Sequence, residues 1–392
     1  MATKGKLALY AAVGPELTQY DVDVEAATLK RGGSVRLPAN IHYVVAHASR
    51  KYLYAATSDS SSGSGTFIGK THHLSAFRID SATGALTPHG APVALPMRPI
   101  HITCDAKSAH ILVAFNQPSL LLVFGINADG TLGGEVKQRE AIDAGIFAHQ
   151  IRITADDKLA ILVTRGKDAA GGKPEDPGSL RVFHYNAGQL TGEVSIAPNG
   201  GYGFGPRHLD FHPDKPWIYV ALERQNQLAM YKRAGDAIDP TAAFTVGTLG
   251  TTGPVKPRQM VGTTHVHPNG HFVYVVNRND ATVEFNGQQV FGGGENSFAC
   301  YSIDQKTGEP KLIGHADTRG IHCRTFHIDP AGKLLVAAHI MGRPVRDGAT
   351  VRVVPACLSL FRIGADGKLE FARKYDIEVG DRHMFWMGMV EL

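Results

Sequence analysis

Two sets of polar residues stand where an alternating apolar pattern would not put them. One set opens short apolar segments: His149 in HQIRI, Arg207 and His208 in GPRHLDF, and Arg324 in CRTFHID. The other set closes apolar strands: Asn116, Arg165, Glu223, the pair Asn277 and Arg278, and His339. Ionised groups beside apolar strands must be paired, solvated or functional. An imidazole titrates close to neutral pH, and a guanidinium offers a planar fork to carboxylate or phosphate. Most of the 19 histidines call for a blander reading. A His in an HPDG-like turn bonds backbone groups of its own turn as Asp does elsewhere, and this is expected of His212 and His267, and of His42, His47, His271 and His327. His265 and His267 alternate on one strand face, a weak basis for a metal pair, and His101, His149, His322 and His339 are the histidines that could serve a metal from different blades.

A repeat positions these residues. Six copies of a polar turn followed by an apolar strand run AHASRKYLYAAT, CDAKSAHILVAFN, TADDKLAILVTR, HPDKPWIYVALE, HPNGHFVYVVNR and DPAGKLLVAAH. Their strand ends fall at Thr57, Phe115, Arg165, Leu222, Asn277 and His339, at intervals of 50 to 62 residues. The mean spacing divides the 392 residues into seven. Self-similarity at such a period signals radial or solenoidal repeats. After each copy comes a second alternating strand and a turn, as in SLLLVFGINADGTL and CLSLFRIGADGKLE, and Asp129-Gly130 and Asp366-Gly367 are strong hairpin signals. No stretch carries a helical stripe with caps at both ends. The expected fold is an all-β, seven-bladed β-propeller of four-stranded blades, a single domain over residues 1–392. Propeller channels gather one residue from each of several blades at the mouth, so the inner-strand starts are the expected ligand site.

The first segments, LALYAAV and LTQYDVDV, lack a preceding copy of the polar turn, and the chain finishes with HMFWMGMVEL. One blade built from N- and C-terminal strands would hide both edges and close the ring. Glycine-rich stretches from Ser60 to Gly65, Gly171 to Gly178 and Phe291 to Gly294 read as insertions between strands. With 43% hydrophobic and 19% charged residues there is ample material for a core. A net charge of +4 without a Lys/Arg run argues against nucleic acid. No apolar run reaches membrane-spanning length. The N-terminus enters a strand pattern without a cleavage signature, and Cys104, Cys300, Cys323 and Cys357 show no CxxC pairing, so a cytoplasmic protein with reduced cysteines is expected.

The segment GPRHLDFHPDKPWIYVALE resembles the signature region of the seven-bladed lactonase family, which includes propeller-type 6-phosphogluconolactonases and carboxymuconate lactonizing enzymes. FAHQIRITADDKLAILV, HFVYVVNRND and RTFHIDPAGKLLVAAH resemble further blades of that family, so the resemblance spans nearly the whole chain. It implies a site in which His149 and Glu223 are the acid/base residues while Arg207 and Arg278 hold an anionic substrate. His101, Arg165, His208, Asn277, Arg324 and His339 are the further candidates for substrate contact. Arg165 and His339 depart from the residues usual at those strand ends, which bears on the substrate more than on the reaction class.

Lactone opening needs a base to activate water, stabilisation of the developing oxyanion and an acid for the leaving alkoxide. A neutral His149 suits the base, Glu223 suits a partner to it or to the leaving oxygen, and the arginines suit an anionic handle. The scheme calls for no cofactor and no metal, and its partner is a small anionic lactone, handled by a monomer or small homo-oligomer. Two alternatives stand beside hydrolysis: cycloisomerisation of a muconate or carboxymuconate by the same constellation, with Arg165, Arg207, Arg278, Arg324 and Arg343 holding its carboxylates, and a non-catalytic binding propeller.

Overall fold

A computed structural model describes residues 6–60 and 67–392. Most of the expected insertion from Ser60 to Gly65 lies outside the described residues. The strands are β because apolar, β-branched and aromatic residues alternate between turns in which glycine supplies a positive φ. Gly130 (φ +84°) and Gly367 (φ +78°) occupy such turns, as the Asp-Gly signals predict. The one helical element among the described residues is a short turn at Pro198–Gly201.

Two compact units make up the chain: one runs to Val22, resumes over Leu29–Arg207 and takes in Gly388–Leu392, and the other holds Asp23–Thr28 and His208–Met387. Seven antiparallel sheets of four or five strands are the blades of an all-β seven-bladed propeller. In six of them four successive main strands pair in chain order, as with Ala148–Ile153, Leu159–Thr164, Ser179–Asn186 and Gln189–Ile196. The seventh sheet orders Thr28–Arg36, Glu16–Asp23, Leu7–Val13 and then Met384–Glu391, so the last strand of the chain pairs with the first, as expected. Leu392 N–H closes this edge on Lys6 O at 2.8 Å.

Repeated contacts lock neighbouring blades inside each unit. In the first unit Tyr10 Oη donates to Gly84 O (2.7 Å) and Tyr54 Oη to Gly130 O (2.9 Å). In the second, Tyr219 Oη donates to Gly308 O and Tyr274 Oη to Gly367 O, both at 2.8 Å. Each buried hydroxyl thus finds an acceptor in the hairpin of the next blade, which is what allows Tyr in place of Phe in the core. Histidines make a second series. His212 Nδ1 accepts from Asp214 N–H and Lys215 N–H while Nε2 donates to Gly270 O at 2.9 Å. His267 accepts from Asn269 N–H in the same way and reaches Gly332 O at 2.8 Å. The turn role expected of both residues is present, and each also ties its blade to the next. Asp329 does the corresponding work in the sixth repeat, accepting from the backbone N–H groups of Ala331, Lys333 and Leu334.

Candidate active site

The inner strands carry a feature that alternation alone does not reveal. In several blades the innermost pairing is interrupted by a β-bulge. The bulge falls between Ile41 and Tyr43, between Ala148 and Gln150, between Val261 and Thr264, and between Cys323 and Thr325. The extra residues are His42, His149, Gly262 with Thr263, and Arg324. A bulge re-aims the side chain of its extra residue and is common beside active sites. His149 and Arg324, singled out from the sequence by their place at segment starts, are therefore both bulge residues.

In the first unit His149 is buried, Phe147 before it has φ +58°, and Ala148 N–H donates to Ser119 Oγ at 3.0 Å, which anchors the start of the strand. Arg207 is also buried. His101 lies with its ring 3.9 Å from that of Tyr43. Burial pushes its imidazole well below the ordinary range, and the charges of Arg152 and Arg207 push it further the same way, so His101 is neutral at pH 7. Arg165 donates to Asp168 Oδ2 at 2.9 Å and covers the Phe147 ring at 5.4 Å.

The second unit brings Glu223 and Arg278 together. Glu223 follows the wholly buried strand Trp217–Leu222, and Arg278 ends the strand Phe272–Arg278 of the next blade. Arg278 Nη2 donates to Glu223 Oε1 at 2.5 Å, and both side chains are 5% exposed, so this is a buried ion pair. Room for the guanidinium comes from Gly262, since a Cβ there would lie 3.3 Å from Arg278 Cδ and 2.6 Å from Val276 Cγ1. Arg278 Nη1 donates onward to His322 Nε2 at 3.0 Å. His322 Nδ1 stands 3.1 Å from Asp280 Oδ2, in ion-pair range though off the line of an ideal hydrogen bond. Asp280 also accepts from Arg258 Nε at 2.7 Å and Arg343 Nη2 at 3.0 Å. Its burial would raise the carboxyl, but the bonds from His322 and Arg258 outweigh that and hold it well below the usual carboxylate range. Burial lowers His322 to about 4, with Arg278 acting in the same sense and Asp280 opposing.

The remaining candidates of this unit are buried or partly buried. Asn277 is fully buried, and its Nδ2 donates to Thr248 O at 2.7 Å and to Glu295 Oε1 and Ser297 Oγ, each at 3.1 Å; these bonds pin the base of the loop that follows. His339 is fully buried against Gly320, with Nδ1 3.2 Å from Cys357 O and 3.3 Å from Cys357 Sγ. Arg324 donates to Phe385 O at 3.2 Å and lies 3.5 Å over the Phe385 ring. His208 is buried in the strand Pro206–Phe211. Among the described residues no group of three or more His, Cys, Asp or Glu side chains is arranged to hold a metal ion. Asp280 was not singled out from sequence, although the NRND stretch puts it two residues past Arg278. His322 entered only as one histidine among many and as a possible metal ligand.

Blades of this number, a terminal sheet made from both chain ends, and a buried carboxylate–guanidinium pair on neighbouring strand ends define an all-β propeller with a chemically equipped interior. The chain belongs to the lactonase, 7-bladed beta-propeller family, which matches over residues 7–345. It is 24% identical over 345 residues to the 6-phosphogluconolactonase of Bacillus subtilis, covering 86% of this chain and 87% of that protein. It is 21% identical over 309 residues to the 6-phosphogluconolactonase of Pectobacterium carotovorum, covering 78% and 79%. Among solved structures, the periplasmic gluconolactonase PpgL of Pseudomonas aeruginosa superposes with a TM-score of 0.72 at 17% identity, covering 98% of this chain and 99% of that one. The WD40 repeats of RRP9 superpose at 0.58 with 10% identity, over 91% and 96%, a likeness of fold alone.

Proposed function

We propose that this protein is a lactone hydrolase acting on an anionic sugar-acid lactone of the 6-phosphogluconolactone kind. The observation that carries the reading is the buried Glu223–Arg278 pair in a chain of the lactonase family. Two charges withdrawn from water at strand ends cost more than a well-packed apolar pair would, so their retention is best explained by chemistry. Glu223 accepts the hydrogen bond of a guanidinium, which suits it to receive a proton rather than to deliver one. His149 is the proposed base that takes a proton from water and, as imidazolium, returns it to the leaving alkoxide, and Arg207 with Arg278 the proposed anion holders and carbonyl polarisers, with roles taken from the family resemblance. Such a scheme uses only side chains of this chain.

The deciding experiment is a proton-release assay of the purified, chelator-treated protein on 6-phosphogluconolactone, unphosphorylated sugar lactones and muconolactones, with spontaneous hydrolysis subtracted. Turnover of the phosphorylated lactone above the others is the expected result. Silence across the panel would overturn hydrolysis and direct attention to muconate ring closure or to ligand binding without chemistry.

A further inference from the structure

Arg278 carries donors on every nitrogen of its guanidinium and no acceptor. The nitrogen of His322 that it meets must therefore present a lone pair, so Nε2 of His322 is unprotonated. A neutral imidazole then holds its single proton on Nδ1, the nitrogen that faces the Asp280 carboxylate. The opposite tautomer would set N–H against N–H on one side and a lone pair against a carboxylate on the other. The side chains thus form an ordered chain from Asp280 through His322 and Arg278 to Glu223. Its outer end is tied down as well: Arg258 and Arg343 both bond Asp280, and Arg343 sits on the hairpin strand Arg343–Asp347. The backbone of His322 is fixed independently, since His322 N–H donates to Asn296 Oδ1 at 2.8 Å. Arg278 Nε is buried and makes no hydrogen bond among the described residues, so the fork is held at Nη1 and Nη2.

We propose that Asp280 and His322 are a positioning pair for the reaction: Asp280 fixes the proton of His322 on Nδ1, and His322 Nε2 then holds the Arg278 guanidinium in the orientation that grips Glu223. The proposal rests on the reading of Glu223 and Arg278 as functional. Neither Asp280 nor His322 touches substrate in this scheme; both act through Arg278. A carboxylate that sets the tautomer and aim of an imidazole, which in turn aims a functional group, is a general device.

The test combines turnover with a direct reading of the tautomer. In wild-type protein, imidazole 15N resonances of His322, assigned by their loss in His322→Gln, are expected to show a proton on Nδ1 from pH 6 to 8. Finding Nε2–H or an imidazolium there would overturn the proposal whatever the activity. In the lactone assay, His322→Leu removes the acceptor and is expected to lower kcat/KM by roughly 100-fold, with a rise in KM as well as a fall in kcat. His322→Gln keeps an oxygen acceptor near the Nε2 position and is expected to recover most of that loss. Equal activity per folded molecule in wild type, Leu and Gln variants would reduce His322 to a packing residue. If Glu223→Gln is fully active, the functional reading itself fails; if Glu223→Gln is inactive while His322→Leu turns over normally, only the positioning role fails.

Discussion

Glu223 is the residue whose substitution separates chemistry from folding most cleanly. Glu223→Gln keeps an oxygen acceptor for Arg278 Nη2 and nearly the same volume, while it removes the proton-accepting charge. Turnover is expected to fall by about 10²- to 10⁴-fold, the usual contribution of a general acid or base, with a small change in melting temperature. His149→Ala is expected to give a loss of similar size, and full activity in both variants would sink the lactonase scheme. Arg278 is harder to replace. Lys is a point charge on a flexible stem and cannot bond Glu223 and His322 at once through a planar fork, so Arg278→Lys is expected to raise KM and to lower stability by roughly 1–3 kcal/mol. Comparing KM and urea midpoints of Arg278→Lys with wild type checks both effects.

At the scale of the element, the hairpins and turns that join blades make demands on single glycines. Gly332 has φ +70° and its carbonyl receives His267 Nε2–H; a Cβ there would lie 2.2 Å from His267 Cε1. Gly332→Ala therefore meets both a left-handed backbone and an occupied space, and is expected to destabilise the protein by about 1–3 kcal/mol in urea denaturation. His267→Ala in the same background is expected to recover part of that loss, because the clashing ring is gone; strict additivity of the two changes would argue against the contact. This His-to-Gly link was only half visible in the sequence. HPNG and HPDK show that a His takes the place of Asp in the turn, but the partner carbonyl is about one repeat away in sequence and only packing of the blades selects it. The bulges at His149 and Arg324 are in the same position: strand periodicity locates the segment, whereas a residue inserted on one side of a ladder is visible only when both strands are paired.

Over the whole molecule, buried neutral histidines set a limit in acid. Burial pushes His322 and His339 to about 4 and His327 to about 3, while an unfolded chain protonates each near 6.5. Between these values the unfolded state binds more protons, so stability falls as pH drops from about 6.5 toward 4. Each such group contributes at most about 1.4 kcal/mol per pH unit across that window. Urea midpoints at pH 7, 5.5 and 4.5 are expected to decline in that order, and a flat profile would contradict the burial of these groups as neutral imidazoles.

The sequence by itself determined the all-β class, the blade number, the pairing of first and last strands and the set of charged residues that need an explanation. All of these follow from local pattern: a period of two along each strand, a longer period between repeats, and polar side chains where that pattern calls for apolar ones. What only the tertiary structure decided is which of those charges meet. Glu223 and Arg278 lie 55 residues apart, and Arg278 and His322 lie 44 apart. Asp280, silent in the sequence, joins the cluster of His322, Arg258 and Arg343 because burial leaves a carboxylate no partner except the side chains packed around it. Asn277 and His339, conspicuous in the sequence, bond Thr248 O and Cys357 O, while Asn277 Oδ1 and His339 Nε2 are buried without a hydrogen bond among the described residues. Residue types state what chemistry a chain can do, but a hydrogen bond in a dry interior is chosen by geometry among groups that the chain brings together from distant turns.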